Sequence, residues 1–327
     1  MAEATLSKDA NANAIDIVAP AALAAGQVLQ LADGRAAVKA GLAAAAANDP
    51  ATLQTAGQFI VAKTAGIVIL DGGEVMWDHS ANAAALPIYV TDKDFYLGRA
   101  VGDAASADTT MLVEINAPQD SAYITLQKSA FASVPVFTDG HNQVAGMFGG
   151  AFKAKFEAAT AEAQKIDLIS YQSFAKASNW ILEAVINLVT TCDADVGDLS
   201  IGVANATHAT DADSITESAF FHFDLGADLN VDCESDDGTT EVGATDSTID
   251  IVAGTPMHLM LDGRDPTNVK YYINGVEVLA ATANLGNIAL ATGPLKALFH
   301  LEKSANDSPG DVDLLKMEVR LTADVEA

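Results

Sequence analysis

The stretch from His258 to Val278, HLMLDGRDPTNVKYYINGVEV, constrains the fold more than any other part of this sequence. Apolar residues alternate with other residues on both sides of a polar loop, as at Leu259 and Leu261. The pair Asn274-Gly275 between alternating apolar residues predicts a tight hairpin turn, because both residues tolerate positive φ. The stretch therefore predicts successive β-strands and indicates that the second half of the chain is all-β.

Short strands separated by turn residues extend over most of the chain. Residues 15–117 contain apolar segments separated by Gly, Asp and Asn, which predicts a small β-barrel or sandwich. Residues 165–327 include the long apolar segment Trp180–Val189 and enough further strands for a two-sheet jelly roll. Proline and glycine mark residues 118–164 as a connector, and residues 1–14 are predicted to form a flexible arm.

Two segments leave helix and non-helix open as alternatives. Ala151–Lys165, AFKAKFEAATAEAQK, is the best helix candidate in the chain. However, Phe152, Ala154 and Phe156 alternate, so the same segment could be an extended strand that opens the second domain. The alanine-rich segment Leu42–Ala47 could be a short helix or a loop, since so short a helix is marginal alone.

The charge distribution is strongly uneven. The formal net charge is −27, and residues 166–327 carry seven Lys/Arg against 27 Asp/Glu, whereas residues 1–117 carry six against 13. An acidic surface repels phosphate, so nucleic acid is not expected as a partner. No apolar segment approaches the roughly 20 residues that cross a bilayer, and the N-terminus lacks the pattern of a secretory signal. We therefore expect no membrane partner.

Catalytic patterns are sparse. Retaining glycosidases place two carboxylates about 5–5.5 Å apart, but Glu183 stands alone in its predicted strand, without a second carboxylate at i+2 or i+5. The six histidines lack metal-ligand spacing, and no G-x-S-x-G motif occurs. His222 and His258 are predicted to be structural histidines within strands. The sequence therefore predicts a protein that is not an enzyme, and its other glutamates read as isolated: Glu241, Glu277, Glu302 and Glu318.

Acidic clusters raise the question of a metal, because carboxylates on loops suit Ca²⁺. Asp232–Gly238 is not an EF-hand, since its glycine falls at the seventh loop position and Gly243 occupies the twelfth. We expect no resident metal or cofactor; solvated acidic loops and a Ca²⁺ site remain as alternatives. The candidate ligands for Ca²⁺ are Asp232, Glu234, Asp236 and Asp237, and two further acidic groups are Asp193, Asp195, Asp198 and Asp307, Asp311, Asp313.

Two cysteines, Cys192 and Cys233, are too few for a disulfide framework. Both lie in the acidic second half of the chain. Two free thiols are the main prediction, and a single disulfide between sheets is the alternative. Metal ligation by these thiols lacks support, because no further Cys or His stands at ligand spacing.

Short motifs in the first unit carry a family resemblance. Gly57-Gln58-Phe59 precedes Ala62-Lys63, and further motifs follow at residues 72–78, 97–101 and 113–115, which read GGEVMWD, LGRAV and VEI. This order resembles the capsid cement, or decoration, proteins of tailed phages over residues 14–117. Trp77 stands where that family places an aromatic residue, and Arg99 occupies a variable position.

A second resemblance covers residues 165–325. Asp262-Gly263, Tyr272 and Asn274-Gly275 resemble the strand–loop–strand pattern of concanavalin A-like, laminin-G-type jelly rolls. The resemblance implies a closing strand, Leu314–Leu321, that pairs beside Trp180–Val189. It also implies that Ca²⁺ or glycan could bind at the loops. Of the two tyrosines in the hairpin, Tyr271 and Tyr272, one is expected to face outward.

Together the two resemblances imply a structural virion protein on the outer capsid surface, assembled in the host cytoplasm. The first unit would bind the major capsid protein, bridge neighbouring subunits and stabilise the head, commonly as a homotrimer. The jelly roll would face outward, where host-surface glycans could be further partners. The alternative is a carbohydrate-binding module for surface adhesion, which the missing signal sequence and the cement-like first unit disfavour.

Overall fold

The computed structural model describes residues 4–8, 14–88, 93–118, 124–125, 152–156, 161–192, 197–208, 211–226, 228–306 and 309–321. Over these ranges the chain is almost entirely strand, and the one helical element is a 3₁₀ turn at Ala212–Ser214. The predicted all-β class is confirmed. The chain divides into two compact units, formed by residues 1–121 with 274–276 and by residues 122–273 with 277–327.

The first unit contains two antiparallel sheets. The order of the larger sheet is β1-β6-β10-β9-β7-β8, and that of the smaller is β2-β5-β4-β3. The ten strands are β1 Ala4–Lys8, β2 Ala14–Val18, β3 Val28–Gln30, β4 Ala36–Lys39, β5 Pro50–Gln54, β6 Gly57–Ala62, β7 Glu74–Asp78, β8 Ala83–Ala85, β9 Phe95–Ala100 and β10 Thr110–Ile115.

The core of the first unit joins its two sheets. Val38 from the smaller sheet packs in one cluster with Phe59 and Trp77 from the larger sheet, and each side chain is at most 2% exposed. Successive side chains of a strand point to opposite faces of the sheet, so apolar residues at every second position give each sheet one apolar face toward the core. On the other face of the smaller sheet, Leu23 and Ala45 close a second apolar cluster.

The alanine-rich segment is a loop rather than a helix. Ala45 forms an antiparallel bridge with Leu23, and the two residues exchange backbone hydrogen bonds of 2.9 Å. Lys39, which is 8% exposed, donates from Nζ to the carbonyl oxygen of Ala43 at 3.2 Å. These tertiary contacts satisfy backbone groups that an isolated helical turn would otherwise need to satisfy within itself.

The segment expected to be a flexible arm contains a strand. β1 pairs antiparallel with β6, beginning with Ala4 opposite Val61. The other edge of β6 is already paired with β10. β1 therefore covers the free edge of β6, whose backbone groups would otherwise stay unpaired, and a local sequence pattern does not reveal such an edge.

The second unit is a sandwich of two antiparallel sheets. One follows the order β11-β23-β14-β19-β20-β21, with β12 also paired to β23, and the other follows β13-β22-β15-β16-β17-β18. The strands are β11 Ile124–Thr125, β12 Phe152–Lys155, β13 Glu162–Ile169, β14 Trp180–Thr190, β15 Gly197–Ala204, β16 Glu217–Asp224, β17 Asn230–Asp237, β18 Glu241–Asp250, β19 Met257–Gly263, β20 Lys270–Ile273, β21 Val276–Val278, β22 Lys296–Asn306 and β23 Asp311–Leu321.

One apolar core lies between these two sheets. Trp180 from the seven-stranded sheet and Phe221 and Phe299 from the six-stranded sheet belong to it, and each is fully buried. The predicted jelly-roll sandwich is confirmed, and so is the pairing of the closing strand β23 beside β14. The hairpin turn is also as predicted, with φ of 50° at Asn274 and 76° at Gly275.

The helix prediction for Ala151–Lys165 is wrong, and its extended alternative is correct for the described residues. Phe152, Ala154 and Phe156 are all buried in the core of the sandwich. The side chain of Lys153, between them, forms an ion pair with Asp311. β12 and the start of β13 lie within residues 118–164, where we predicted a connector. Their pairing with β23 and β22 makes them part of the jelly roll.

Gly202 offers a test of the six-stranded sheet. A Cβ atom at this residue would lie 2.0 Å from the backbone oxygen of Ala219 on the neighbouring strand. We expect Gly202→Ala to lower the free energy of unfolding of the second unit by about 1–3 kcal/mol, as overpacking does. Urea unfolding followed by hydrogen exchange of second-unit peptides measures the loss. Gly243→Ala is the matched control, because a Cβ there meets nothing within 4 Å; equal losses in both variants would contradict the steric explanation.

Asn116 connects the two sheets of the first unit. Its Nδ2 donates to the backbone oxygens of Ala36 and Thr55 at 2.8 and 2.7 Å, and its Oδ1 accepts from the Ala36 N–H at 2.8 Å. We expect Asn116→Ala to destabilise the first unit by about 1–3 kcal/mol, because buried backbone groups lose their partners. Hydrogen exchange of first-unit peptides in urea measures this.

The control for Asn116→Ala is Asn82→Ala. Asn82 is exposed and also has a positive φ, 51° against 53° at Asn116, so it reports the backbone cost alone. A first-unit stability that falls equally in both variants would show that the three hydrogen bonds do not matter.

Candidate functional site

A row of polar side chains crosses the outer face of the six-stranded sheet. Residues directly opposite each other in an antiparallel sheet point to the same side. Phe221 and Phe299, one position along from members of this row, face the core. The row therefore lies on the face away from the core, and in strand order it comprises Asp167, His300, Ser200, His222, Asp232 and Asp246.

The 3₁₀ turn lies over the same face. Ala212 and Ile215 pack against Phe220 and Leu298 in a small apolar cluster beside the polar row. This apolar contact anchors both ends of the turn. At its start, the side chain of Asp211 accepts a hydrogen bond of 2.9 Å from the Asp213 N–H, as an N-cap does. Asp213 is thereby held close to the sheet.

Three side chains meet where the turn crosses the polar row. Asp213, His222 and Glu234 each offer a ligand atom, and these atoms lie within 4.8 Å of one another. We call these three residues the outer-face triad. His222 Nδ1 is 3.2 Å from Asp213 Oδ1 and 3.1 Å from Ser200 Oγ. Glu234 is 5% exposed, and within the described part of the chain its Oε1 has no hydrogen-bond partner.

The proximity of these groups changes their pKa values. Burial, together with the charge of Asp213, raises the pKa of Glu234 to about 8. Burial would lower the pKa of His222, but hydrogen bonding and charge interaction with Asp213 outweigh it and raise the pKa to about 9. The hydrogen bond with His222 lowers the pKa of Asp213. The triad is therefore a strongly coupled set of acid and base groups.

Ser200 does not make this site a nucleophilic triad. Its side chain touches His222 Nδ1, yet Ser200 is only 1% exposed. A nucleophile must reach its substrate, whereas this hydroxyl is closed in between the histidines of two neighbouring strands. Ser200 instead fixes the orientation of the His222 ring.

The structure separates the four residues predicted as Ca²⁺ candidates. Asp236 accepts from the Gly238 N–H at 2.7 Å, and Asp237 accepts from the N–H groups of Thr239 and Thr240 at 2.9 and 2.8 Å. Both aspartates therefore form the turn between β17 and β18. The other two candidates lie on the outer face of the sheet: Asp232 is in the polar row opposite His222, and Glu234 belongs to the outer-face triad.

The other two acidic groups lie only partly within the described residues, because Asp193, Asp195 and Asp307 fall outside them. Lys153 Nζ lies 3.1 Å from Asp311 and 3.4 Å from Asp313. Asp198 Oδ1 lies 3.8 Å from His222 Nε2, on the side of the ring away from the triad. These aspartates are therefore engaged by basic side chains of the jelly roll.

A second set of charges is buried on the seven-stranded sheet. Glu183 of β14 and Glu318 of β23 lie directly opposite each other on neighbouring strands, and Arg320 Nη1 contacts both carboxylates. His258 Nε2 lies 2.8 Å from Glu183. Burial disfavours ionisation of Glu183, but Lys316 and Arg320 outweigh it and hold its pKa well below the usual range.

The interpretation of Glu318 as isolated is therefore wrong. Its partner Glu183 is distant in sequence, and only the sheet brings the two together. Both are at most 2% exposed, so a polysaccharide cannot reach this pair as it reaches the carboxylates of a glycosidase. His258 is a hydrogen-bonded structural histidine, as predicted.

The cysteines and tyrosines are structural. Cys192 and Cys233 are free and buried, which confirms the prediction of two thiols. Burial, reinforced by neighbouring carboxylates, raises the pKa of Cys233 and makes its thiol unreactive.

The two tyrosines of the hairpin are also buried. Tyr271 donates to the backbone oxygen of Glu234 at 2.6 Å. One of Tyr271 and Tyr272 was expected to face outward, but they are 2% and 4% exposed, so neither offers a glycan an exposed aromatic surface.

These features define a class of protein: a small β unit joined to a two-sheet jelly roll, with a row of polar groups on the outer face of one sheet. Residues 10–115 match the family described as phage cement protein, which confirms the resemblance to cement proteins that the motifs of the first unit indicate. The match covers less than half of the chain. No curated protein matches it. The described residues contain no helix long and apolar enough to span a bilayer.

Several solved structures resemble parts of the chain. The potassium-bound carbohydrate recognition domain of Emp46p is 12% identical, with 52% of this chain and 83% of that chain covered and a TM-score of 0.37. An endo-acting O-glycanase of the human gut microbiota is 11% identical, with 62% and 97% covered and a TM-score of 0.43. The endo-β-1,4-glucuronan lyase of the fungus Trichoderma reesei is 10% identical, with 62% and 95% covered and a TM-score of 0.43. At these values the likenesses carry no argument about the activity of this chain.

His300 makes the stability of the second unit depend on pH. It is 1% exposed, with Nε2 3.0 Å from Glu302 and Nδ1 3.5 Å from Asp167. Burial would lower its pKa, but these two carboxylates outweigh burial and raise it above 6.5. A raised pKa means that the stabilisation is complete below pH 6.5 and is lost as the pH rises through the folded-state value.

We therefore expect the free energy of unfolding of the second unit to fall as the pH rises above 6.5. His300→Gln should cost about 1–3 kcal/mol at pH 6 and make this fall shallower, because it removes the titrating partner of two carboxylates. Urea unfolding at a series of pH values, with chelator present, measures both effects. His79→Gln, at an exposed histidine of the first unit, should leave the profile unchanged. An unchanged slope in His300→Gln would contradict the assignment.

Proposed function

We propose that this chain is a structural virion protein that binds the outside of a phage capsid shell. In this proposal the first unit bridges neighbouring major capsid subunits and stabilises the head, while the jelly roll is displayed outward. The observation that carries the proposal is the match of residues 10–115 to the phage cement protein family. The carboxylates Glu183 and Glu318 do not compete with this proposal as a glycosidase pair, because each is at most 2% exposed.

The division of charge between the units supports the same orientation. Residues 166–327 carry seven Lys/Arg against 27 Asp/Glu, and residues 1–117 carry six against 13. A surface with a high density of one charge is well solvated and resists association. The less acidic first unit is therefore better suited to docking, and the strongly acidic jelly roll is better suited to display.

One end of the smaller sheet of the first unit is a candidate contact with the shell. Val18 and Leu42 are 66% and 101% exposed. Val18 pairs with Pro50 at the start of β5, and Ala40, two residues before Leu42, donates to the Thr52 backbone oxygen. Both apolar side chains therefore belong to the end of the sheet where β5 begins. Exposed apolar groups that lie together mark surfaces that bind other proteins.

In this proposal, burial of these apolar groups against the shell supplies part of the binding free energy. Apolar surface gains about 25 cal/mol for each Å² removed from water. Contacts with two adjacent capsid subunits add further free energy when one molecule bridges them. A homotrimer at threefold positions would multiply these contacts, so trimer formation belongs to the same proposal.

The test uses expanded capsids that lack this protein, assembled from the major capsid protein of the same phage. We expect saturable binding of the full chain, measured by co-sedimentation, and an increase in the temperature at which the capsids disrupt. Val18→Asp combined with Leu42→Asp should weaken binding at least tenfold without unfolding, because both side chains are exposed. Leu290→Asp is the matched control, since Leu290 is a 56% exposed leucine of the jelly roll.

Each outcome bears on a different part of the proposal. A full-length protein that does not bind capsids, but binds defined oligosaccharides on an array, would replace it with the carbohydrate-binding alternative. Binding that Leu290→Asp weakens as strongly as the Val18/Leu42 pair would assign the contact to the jelly roll. Electron cryomicroscopy of decorated capsids shows whether the density lies at threefold positions, and density elsewhere would exclude the trimeric arrangement.

A further inference from the structure

We propose that the outer-face triad, Asp213, His222 and Glu234, binds a single Zn²⁺ ion. The site lies entirely within the jelly roll, on the face of the six-stranded sheet away from the core. It does not depend on the capsid role proposed above. Its effect would be to tie the 3₁₀ turn to strands β16 and β17.

The positions of the donor atoms suit a small cation. Zinc–ligand bonds of roughly 2.0–2.2 Å place tetrahedral donor atoms about 3.4 Å apart. His222 Nδ1 and Asp213 Oδ1 are already 3.2 Å apart, and the donor atoms of all three residues lie within 4.8 Å of one another. A small rotation of side chains therefore suffices to bring all three to bonding distance.

Glu234 is the observation that points to a missing ligand. It is 5% exposed, its Oε1 accepts no hydrogen bond from the described residues, and its carboxyl group lies close enough to that of Asp213 to share a proton with it. Buried polar atoms are nearly always satisfied, and a carboxylate oxygen left unpaired inside a protein is costly. Its neighbours in the triad are a second carboxylate and an imidazole, and a divalent cation would satisfy all three together.

The donor set favours zinc over calcium or magnesium. Imidazole nitrogen and carboxylate oxygen are both zinc ligands, and in zinc sites with three protein ligands a water occupies the fourth position. Calcium requires six to eight oxygen ligands, and magnesium prefers six oxygens in an octahedron. Imidazole binds neither ion well, so His222 at the centre of the triad argues for a transition metal.

The surroundings of His222 orient the ring for this role. Its Nδ1 points toward Asp213, another member of the triad, while its Nε2 lies 3.8 Å from Asp198 Oδ1 on the opposite side of the ring. Histidines that bind metals commonly have a carboxylate near the other ring nitrogen, which fixes the ring and increases its basicity. Ser200 Oγ, 3.1 Å from Nδ1, is a further polar group beside the proposed ion.

Access to the site is from the side of Asp213. The side chain of Asp213 is 43% exposed, in contrast to the buried Glu234. An ion can therefore enter past the 3₁₀ turn without unfolding the sheet.

The experiment uses the full chain after treatment with chelator. Isothermal titration with Zn²⁺ should show one saturable site per chain, and Zn²⁺ should raise the unfolding temperature of the second unit. Glu234→Gln and His222→Asn should each weaken binding at least about tenfold. Asp246→Asn is the matched control, because Asp246 is an exposed member of the same row outside the triad; its affinity should equal that of the unchanged chain.

A second measurement does not require any variant to fold. Co²⁺ in place of Zn²⁺ should give visible absorption bands that Zn²⁺ removes, without the sulfur-to-metal band that Cys192 or Cys233 would cause. Failure of the unchanged chain to bind Zn²⁺, a sulfur-to-metal band, or affinities unaltered in folded Glu234→Gln and His222→Asn would each overturn the proposal. Tighter binding of Ca²⁺ than of Zn²⁺ would overturn the assignment of the metal.

Discussion

The antiparallel register of the six-stranded sheet is the constraint on which the second unit depends. It aligns one set of alternating residues toward the core, including Phe221 and Phe299, and the other set toward the outer face. A shift of one residue in any strand would exchange the two sets and place charged groups in the core. The same register therefore determines both the stability of the sandwich and the composition of the polar row.

The outer faces of the two sheets use charge in different ways. On the seven-stranded sheet, Glu183, Glu318 and Arg320 compensate one another in almost complete burial. Such a network is costly to break because each remaining charge would be left unpaired. On the six-stranded sheet, the triad combines two carboxylates with one imidazole and leaves Glu234 Oε1 without a partner among the described residues. The first arrangement pairs its carboxylates with a guanidinium, whereas the second has an excess of carboxylates and is suited to bind a cation.

The two units differ in what their surfaces favour. The first unit matches the phage cement protein family and carries the smaller excess of acidic residues. The jelly roll carries most of the negative charge, and its aromatic residues Trp180, Tyr271 and Tyr272 are buried. An exposed aromatic platform, which would favour glycan binding, is therefore not formed by these three residues. A docking role for the first unit and a displayed role for the second are consistent with this division.

The sequence by itself determined the elements whose signals are local. Alternating apolar residues and the Asn274-Gly275 turn predict the hairpin, because period and positive φ are properties of a few adjacent residues. The all-β class and the order of motifs in the first unit follow in the same way. The alternation of Phe152 and Ala154 was also visible, although a local pattern could not decide between strand and helix for that segment. Burial in the jelly-roll core decided it.

Only the tertiary structure decided which distant residues meet. The sequence grouped Glu234 with Asp236 and Asp237, but both aspartates accept hydrogen bonds from backbone N–H groups of the turn after β17. Glu234 instead meets Asp213 and His222, which come from a 3₁₀ turn and a neighbouring strand. Glu183 likewise lies opposite Glu318 on the neighbouring strand, although the two are far apart in sequence. Pairing between strands depends on the free energy of the whole sheet, and so a site built across strands cannot be read from spacing along the chain.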